Sequence, residues 1–205
     1  MKLEKSKSWE IFFKNNDGNY YPNNFVIRLV LSYFKKVKYS ERKKIKILDL
    51  GSGTGSNFFF LVDQNFTPSA IDKSKNAIKK LKFKIKKKNK DFKYDIKVSS
   101  FENLPFQDKN FEMIIDCTSL QHCKRNLLKR SLEEVNRVMK KNGCFISIYE
   151  KTKNNKNYDT NTYKINNLKN FLKKYFKKIN VGTLDYNFGY ENYKESFYII
   201  QCIKK

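Results

Sequence analysis

Apolar and polar positions divide the chain into blocks of two kinds. Short strand-like runs occur at Ile45–Leu50, Thr67–Asp72, Tyr94–Ser99, Phe111–Cys117 and Cys144–Tyr149; the first is nearly continuous in apolar residues, and Met113-Ile114-Ile115 fills the interior of the fourth. Runs of this length and character read as strands buried on both faces. Between them, apolar residues recur at helical spacing. Residues 74–89 place Ile78, Leu81 and Ile85 on one face, and residues 125–140 do the same with Leu128, Leu132, Val135 and Val138-Met139. A further helix is expected over 23–37, with Val26, Leu29, Val30 and Tyr33 on its apolar side, and another from Ser56 through Phe58–Val62. Asn142-Gly143 is expected to end the helix of 125–140. The tail reads as helix (166–176), strand (178–185), an aromatic loop from Tyr186 to Tyr193, and a last strand (195–203).

Strand–helix–strand alternation implies a parallel sheet covered by helices on both faces. The short link between the last two strands permits an antiparallel hairpin. The expected fold is therefore α/β: a doubly wound, mostly parallel, seven-stranded sheet with a C-terminal antiparallel hairpin. One domain is expected over 1–205, with an N-terminal lid and helix (1–40), a core (45–150) and a substrate loop plus hairpin (151–205). The Asn/Lys-rich stretch 151–163 reads as a mobile loop.

Composition narrows the class. At 205 residues, 40% of them hydrophobic, the chain suits one core. No apolar run reaches the roughly 20 residues that span a bilayer, and the start, MKLEKSKSWE, lacks the apolar centre of a secretory signal. Cys117, Cys123, Cys144 and Cys202 show no zinc-ligand spacing. They read as reduced thiols of a cytoplasmic protein, and no metal is expected. The net charge of +24 could attract nucleic acid or another polyanion. The charge is nearly all lysine, however, and Asn, Ile, Phe and Tyr are also abundant, as an AT-rich genome would encode. Arginine, the better residue for planar phosphate recognition, occurs only at positions 28, 42, 125, 130 and 137. The lysine run 79–90 reads as the solvated back of a helix.

The first strand ends in ILDLGSGTGS, residues 47–56. In a doubly wound sheet this turn lies at the carboxyl edge, where ligands bind. Gly51 and Gly53 allow positive φ and close backbone approach. Asp72 closes the next strand 23 positions after Asp49, where a carboxylate can accept from both hydroxyls of a ribose. The dinucleotide pattern needs a glycine at 56, which is Ser56, and no lysine follows to make a P-loop.

The ordered set of motifs resembles the class I S-adenosylmethionine-dependent methyltransferases over about residues 20 to 150. Asp49-Leu50-Gly51-Ser52-Gly53-Thr54-Gly55 is similar to that family's first motif, and Ile71-Asp72-Lys73-Ser74 to its ribose-binding acid. Ser99 to Phe106 is similar to a segment usually written GDAENLPF, Phe111–Ile115 to its fourth strand, and Leu132 to Gly143 to LREIxRVLKPGG. The resemblance implies S-adenosylmethionine as cofactor. The glycine loop with Asp49, Gly51, Ser52, Gly53 and Gly55 would line it, Asp72 and Lys73 would lie at the ribose, and Ser100 and Phe101 along the adenine edge. Ser100 stands where the family carries an aspartate. Arg28 resembles an arginine that pairs with the cofactor's carboxylate in related small-molecule enzymes; as a residue alone it reads equally as a surface arginine.

A sulfonium is an activated leaving group, so the protein has chiefly to align a nucleophile and exclude water. The fourth strand ends Asp116-Cys117-Thr118-Ser119-Leu120-Gln121-His122. The Asn/Asp-Pro-Pro-Tyr signature of base-amine methylation is absent, and no proline precedes Cys117 to make it a cytosine-C5 nucleophile. Cys117 reads as structural, its backbone lining the cofactor. His122, the only histidine, has an ordinary pKa of roughly 6.5 that suits a general base; capping the following helix is the alternative. Tyr20, Tyr21, Tyr158 and Tyr190 lie on segments expected at the same edge and are candidates for substrate contact. The expected reaction is methyl transfer to a small molecule or sugar-type precursor, on oxygen and anionic. An RNA methyltransferase using the basic surface, or a non-catalytic S-adenosylmethionine-binding protein, is the alternative.

Overall fold

The structure, a computed structural model, describes residues 5–88, 92–151, 165–187 and 194–205. Seven strands form one sheet: β1 (Lys46–Leu50), β2 (Thr67–Asp72), β3 (Asp95–Val98), β4 (Phe111–Cys117), β5 (Met139–Glu150), β6 (Phe176–Asn187) and β7 (Lys194–Lys204). Their order is β3-β2-β1-β4-β5-β7-β6. β1 through β5 pair in parallel, and β7 lies antiparallel to both β5 and β6. The doubly wound sheet and its C-terminal hairpin match the sequence expectation.

Among the described residues, six α-helices accompany the sheet: α1 (Lys5–Asn15), α2 (Asn24–Tyr33), α3 (Ser56–Asp63), α4 (Lys75–Lys88), α5 (Arg125–Val138) and α6 (Ile165–Tyr175). The alternation of β side chains explains why both faces are covered. Ile47, Met113, Ile115 and Ile146 pack with Val26, Val30, Phe60 and Leu61. Leu48, Leu50, Ile114 and Phe145 point the other way, into a cluster with Leu128, Leu132, Val135, Leu168 and Leu172.

Several boundaries differ from the expectation. α2 ends at Tyr33 rather than 37, and its first turn is capped by the Asn23 side chain, which accepts from Phe25 N. α5 ends at Val138, and Met139 already belongs to β5. Asn142-Gly143 therefore lies inside a strand. Asn142 sits at φ 61, and a Cβ on Gly143 would meet the carbonyl oxygens of Lys140 and Glu112 at 2.9 and 3.0 Å. That crowding, beside a register shift between Phe111 and Met113, explains the glycine. The expected lid is a helix, α1, whose Trp9, Phe12 and Phe13 follow i, i+3, i+4 spacing. The stretch 152–164 lies outside the described residues.

β1 leads through α3 to β2 on one side, while β4 lies on its other side. The strand order thus reverses between β1 and β4, and a crevice opens at their carboxyl ends. The turns after these two strands form its sides.

Candidate active site

The turn after β1 is fixed by its backbone. Gly51, Gly53 and Gly55 adopt φ of +77°, +53° and +93°. The amides of Gly51 and Ser52 both donate to Ile71 O, at 2.9 Å each. A Cβ at Gly51 would fall 2.2 Å from Ser119 Oγ and 3.2 Å from the Phe101 ring, so two elements converge on this one residue. Asp72, at the end of β2, accepts from Gly53 N on one oxygen and from Ser74 N on the other, both at 2.8 Å. The Lys73 amide donates to the same carboxylate, which still leaves acceptor capacity for a further donor. Burial raises the Asp72 pKa, and the backbone amides of Ser74 and Gly53 oppose the shift.

Asp49 lies beneath the turn and is fully buried. Burial, with the charges of Asp72 and Asp116 nearby, pushes its carboxyl up to about 7. It accepts from the Phe58 amide near the start of α3, so it holds the loop from below. Its Oδ2, like Ser52 Oγ, is buried without a hydrogen-bond partner.

The turn after β4 is fixed by side chains. Asp116 Oδ1 accepts from Ser119 N and Leu120 N at 3.0 and 2.9 Å, and its Oδ2 from Ser147 Oγ at 2.5 Å. Burial raises the Asp116 pKa to about 6. Thr118 sits at φ 59, where a β-branched residue is strained by about 1–3 kcal/mol. That bend directs Ser119 Oγ back to Gly51 O, at 3.2 Å. His122 closes a 3-10 turn (Leu120–His122), and its ring meets Trp9 edge-on at 5.3 Å between centroids. Burial, then the charges of Asp116 and Asp49, push the Cys117 thiol up to about 12. A thiol raised this far stays protonated at neutral pH.

α1 covers the crevice. Phe13 lies 3.1 Å from where a Cβ on Gly53 would stand. Glu10 accepts from Asn76 N at the start of α4, at 3.2 Å. Lys80 pairs with Asp17 at 3.0 Å and donates to Asn16 O at 2.9 Å, while Lys84 donates to Thr54 Oγ1 at 2.9 Å. Thr54 in turn donates to Asp17 O. Lys80 and Lys84 therefore correct the reading of 79–90 as a merely solvated face; they tie α1 to the glycine turn. These contacts, with Asp116, Ser119, Trp9 and Phe13, carry no motif in the sequence. Only the 9, 12, 13 spacing of aromatic residues signals the covering helix.

The other expected residues are distributed unevenly. Lys73 is exposed and pairs with Glu102 at 3.5 Å. Ser100 is half-buried and Phe101 buried. The segment after them is locked by Arg137, which donates to Leu104 O and Phe106 O at 2.9 and 2.8 Å and is paired with Glu134. Arg28 is exposed on α2, two residues from buried Val26 and Val30 and so on the opposite side of the helix. Tyr20 and Tyr21 are 73% and 85% exposed, and the Tyr20 ring faces the Lys84 ammonium rather than the crevice centre. Tyr158 and Tyr190 lie outside the described residues. Among the described residues, no group of three His, Cys, Asp or Glu could hold a metal ion, and no helix is long and apolar enough to cross a membrane.

The family model described as a methyltransferase domain matches residues 47–143, from β1 into β5. Over 144 residues, 67% of this chain, the sequence is 35% identical to an uncharacterized protein of Methanocaldococcus jannaschii, MJ1252, and covers 48% of it. Over 120 residues it is 35% identical to the ubiquinone biosynthesis O-methyltransferase of Pelagibacter ubique, spanning 57% of this chain and 48% of that one. The chain thus spans about half the length of these curated relatives. The PH0226 protein of Pyrococcus horikoshii has the same fold, with a TM-score of 0.64 at 21% identity, over 91% of this chain and 95% of that one. The glycine turn, the ribose-type acid and the 3-2-1-4-5-7-6 sheet accompany this match, and residues 47–143 are similar to a methyltransferase domain. Another protein of this fold, from Methanosarcina mazei, 17% identical with a TM-score of 0.61 over 78% of this chain and 92% of that one, is described as an S-adenosylmethionine-dependent methyltransferase.

The cradle fits that ligand. Asp72 keeps acceptor capacity at the end of β2, three glycines leave room for close approach, and the buried Ser52 hydroxyl lacks a partner.

Proposed function

We propose that this chain transfers a methyl group to a hydroxyl of an anionic small molecule, a sugar-type precursor being the expected kind. The observation that carries the reading is the pairing of two turns on one crevice: a cradle with a free-valenced carboxylate on one side and the single histidine on the other. The O-methyltransferase relative of Pelagibacter ubique supports oxygen as the acceptor atom.

When bound, S-adenosylmethionine supplies a methyl group on a cationic sulfur. Asp72 accepts from the ribose hydroxyls, Lys73, Ser100 and Phe101 border the base, and Asp49 and Cys117 hold the floor. The backbone of Gly51, Ser52, Gly53 and Gly55 lines the cradle. His122 takes the acceptor's hydroxyl proton as the oxygen becomes nucleophilic, with Trp9 above the ring excluding water. Four free thiols, three of them buried, suit a reducing, cytoplasmic setting.

The test is transfer of isotope-labelled methyl from S-adenosylmethionine into a small-molecule extract, with the product identified by mass spectrometry. Label in an O-methylated anionic metabolite is the expected result; label only in RNA would establish the second reading. That reading draws on α4, where Lys79, Lys82, Lys86 and Lys87 are exposed around Phe83, itself 58% exposed. It also predicts binding that weakens steeply with salt.

A further inference from the structure

We propose that a cavity between α5 and α6 holds the anionic end of the methyl acceptor, and that this end is a phosphate monoester. The inference rests on the reading of the acceptor as an anionic small molecule, and it gives the anion a place and a charge.

The segment Arg125-Asn126-Leu127-Leu128-Lys129 builds one wall. Leu128 is buried in the core, while Arg125, Asn126 and Lys129 share the exposed side of α5 at i, i+1 and i+4. With Phe171 of α6 they line a cavity of about 560 Å³. Small-molecule sites run from roughly 300 to 1,000 Å³. Phe171 is half-buried, and the neighbouring Leu168 and Leu172 of α6 belong to the core, so its ring is held in place. Arg125 Cζ lies over that ring, 5.6 Å from the centroid. Stacking on an aromatic face orients the planar guanidinium and leaves its N–H edge for a ligand.

Charge says which ligand. Among the described residues, Arg125 and Lys129 have no acidic partner. Glu133, one turn beyond Lys129, accepts instead from Tyr175 OH at 3.0 Å, and Glu134 pairs with Arg137. Asn126 Oδ1 accepts from Leu127 N at 2.9 Å, which leaves the Nδ2 donor. The wall thus offers hydrogen-bond donors and two positive charges. A phosphate monoester carries about −1.5 to −2 near neutral pH on three acceptor oxygens. A carboxylate brings one charge and two oxygens, and so matches half the wall. The arginine fork takes two phosphate oxygens side by side, and the lysine adds a point charge.

The chain path ties this cavity to the chemistry. His122 ends the 3-10 turn that leads into α5, and Arg125 is the first residue of that helix. Three residues of chain span at most about 11 Å, so the two Cα atoms stand within that distance. One small acceptor can therefore set its phosphate at Arg125 and its hydroxyl at the histidine.

The test is calorimetric titration of the full chain with glucose, glucuronate and glucose 6-phosphate, which place no charge, one charge and nearly two on the same sugar carbon. The wild-type protein is expected to bind the phosphate about 10-fold or more tighter than glucuronate, and glucose most weakly. Arg125→Ala/Lys129→Ala should weaken glucose 6-phosphate by about 10-fold or more. Lys79→Ala/Lys86→Ala removes the same charge from α4 and should change it by less than about threefold. Equal losses in the two double variants would assign the binding to net charge and overturn the proposal, as would glucuronate binding as tightly as glucose 6-phosphate. Label in an O-methylated anionic metabolite, made by a protein that does not bind glucose 6-phosphate, removes this inference alone. Label only in RNA removes the small-molecule reading and this inference with it.

Discussion

Two turns flank one crevice, and they are held by different means. After β1 the backbone does the shaping: glycines at positive φ, paired amides on Ile71 O, and no room at Gly51 for a side chain. After β4 the side chains do it: Asp116 gathers two amides, Thr118 accepts a strained φ, and Ser119 reaches across to Gly51. The first arrangement lets a ligand come close. The second holds a titratable ring, His122, in one place. Damage to the first should therefore appear as lost binding and stability, and damage to the second as lost turnover.

His122→Ala probes the second turn. Methyl transfer should fall by about 100-fold, the usual scale of a general base, while S-adenosylhomocysteine affinity stays within about threefold. Equal turnover in a radiometric assay would assign His122 to packing under Trp9 instead.

Gly55→Ala probes the first. Its φ of +93° disfavours any side chain, and the added Cβ would stand 2.4 Å from Leu81 Cδ1. A loss of about 2 kcal/mol in urea unfolding is expected. A change below about 0.5 kcal/mol would show that the turn is looser than its backbone suggests.

Asp49 gives an effect whose size depends on pH. Its folded pKa, about 7, lies above the ordinary carboxylate value. Between the two, the folded chain holds a proton that the unfolded chain has lost, so stability falls as pH rises through that window. Asp49→Asn removes this dependence. Its thermal midpoint, compared with wild type at pH 5 and pH 8, should therefore gain at the higher pH by several degrees, on the order of 1–3 kcal/mol. A constant difference would mean that Asp49 titrates normally.

The same contrast explains what the sequence revealed. Glycine at positive φ and an acid at the end of the next strand are demands that few residue types meet, so Gly51, Gly53, Gly55 and Asp72 stand out in ILDLGSGTGS and its sequel. The strands were equally legible, because burial on both faces requires apolar runs such as Met113-Ile114-Ile115. Asp116 and Ser119 were not, since an aspartate accepting two amides looks like any other aspartate. The helix α1 within the lid was not legible, because its aromatic spacing is short and set among lysines. Lys80 and Lys84 lay hidden in a charge run whose other described lysines are exposed, and only the fold brings them to Asp17 and Thr54. The end of α5 was misplaced because Asn142-Gly143 serves a crowded strand bend, a role that carries the same residues as a helix stop.

The central claim is that the carboxylate at the end of β2 and the glycine turn together hold an adenosyl ligand. Calorimetric titration of the wild-type protein and Asp72→Ala with S-adenosylhomocysteine tests it most directly. One ligand per chain should bind the wild type, and Asp72→Ala should weaken binding by about 100-fold or more. Absence of binding to the wild type, or equal affinity in the two proteins, would contradict the account.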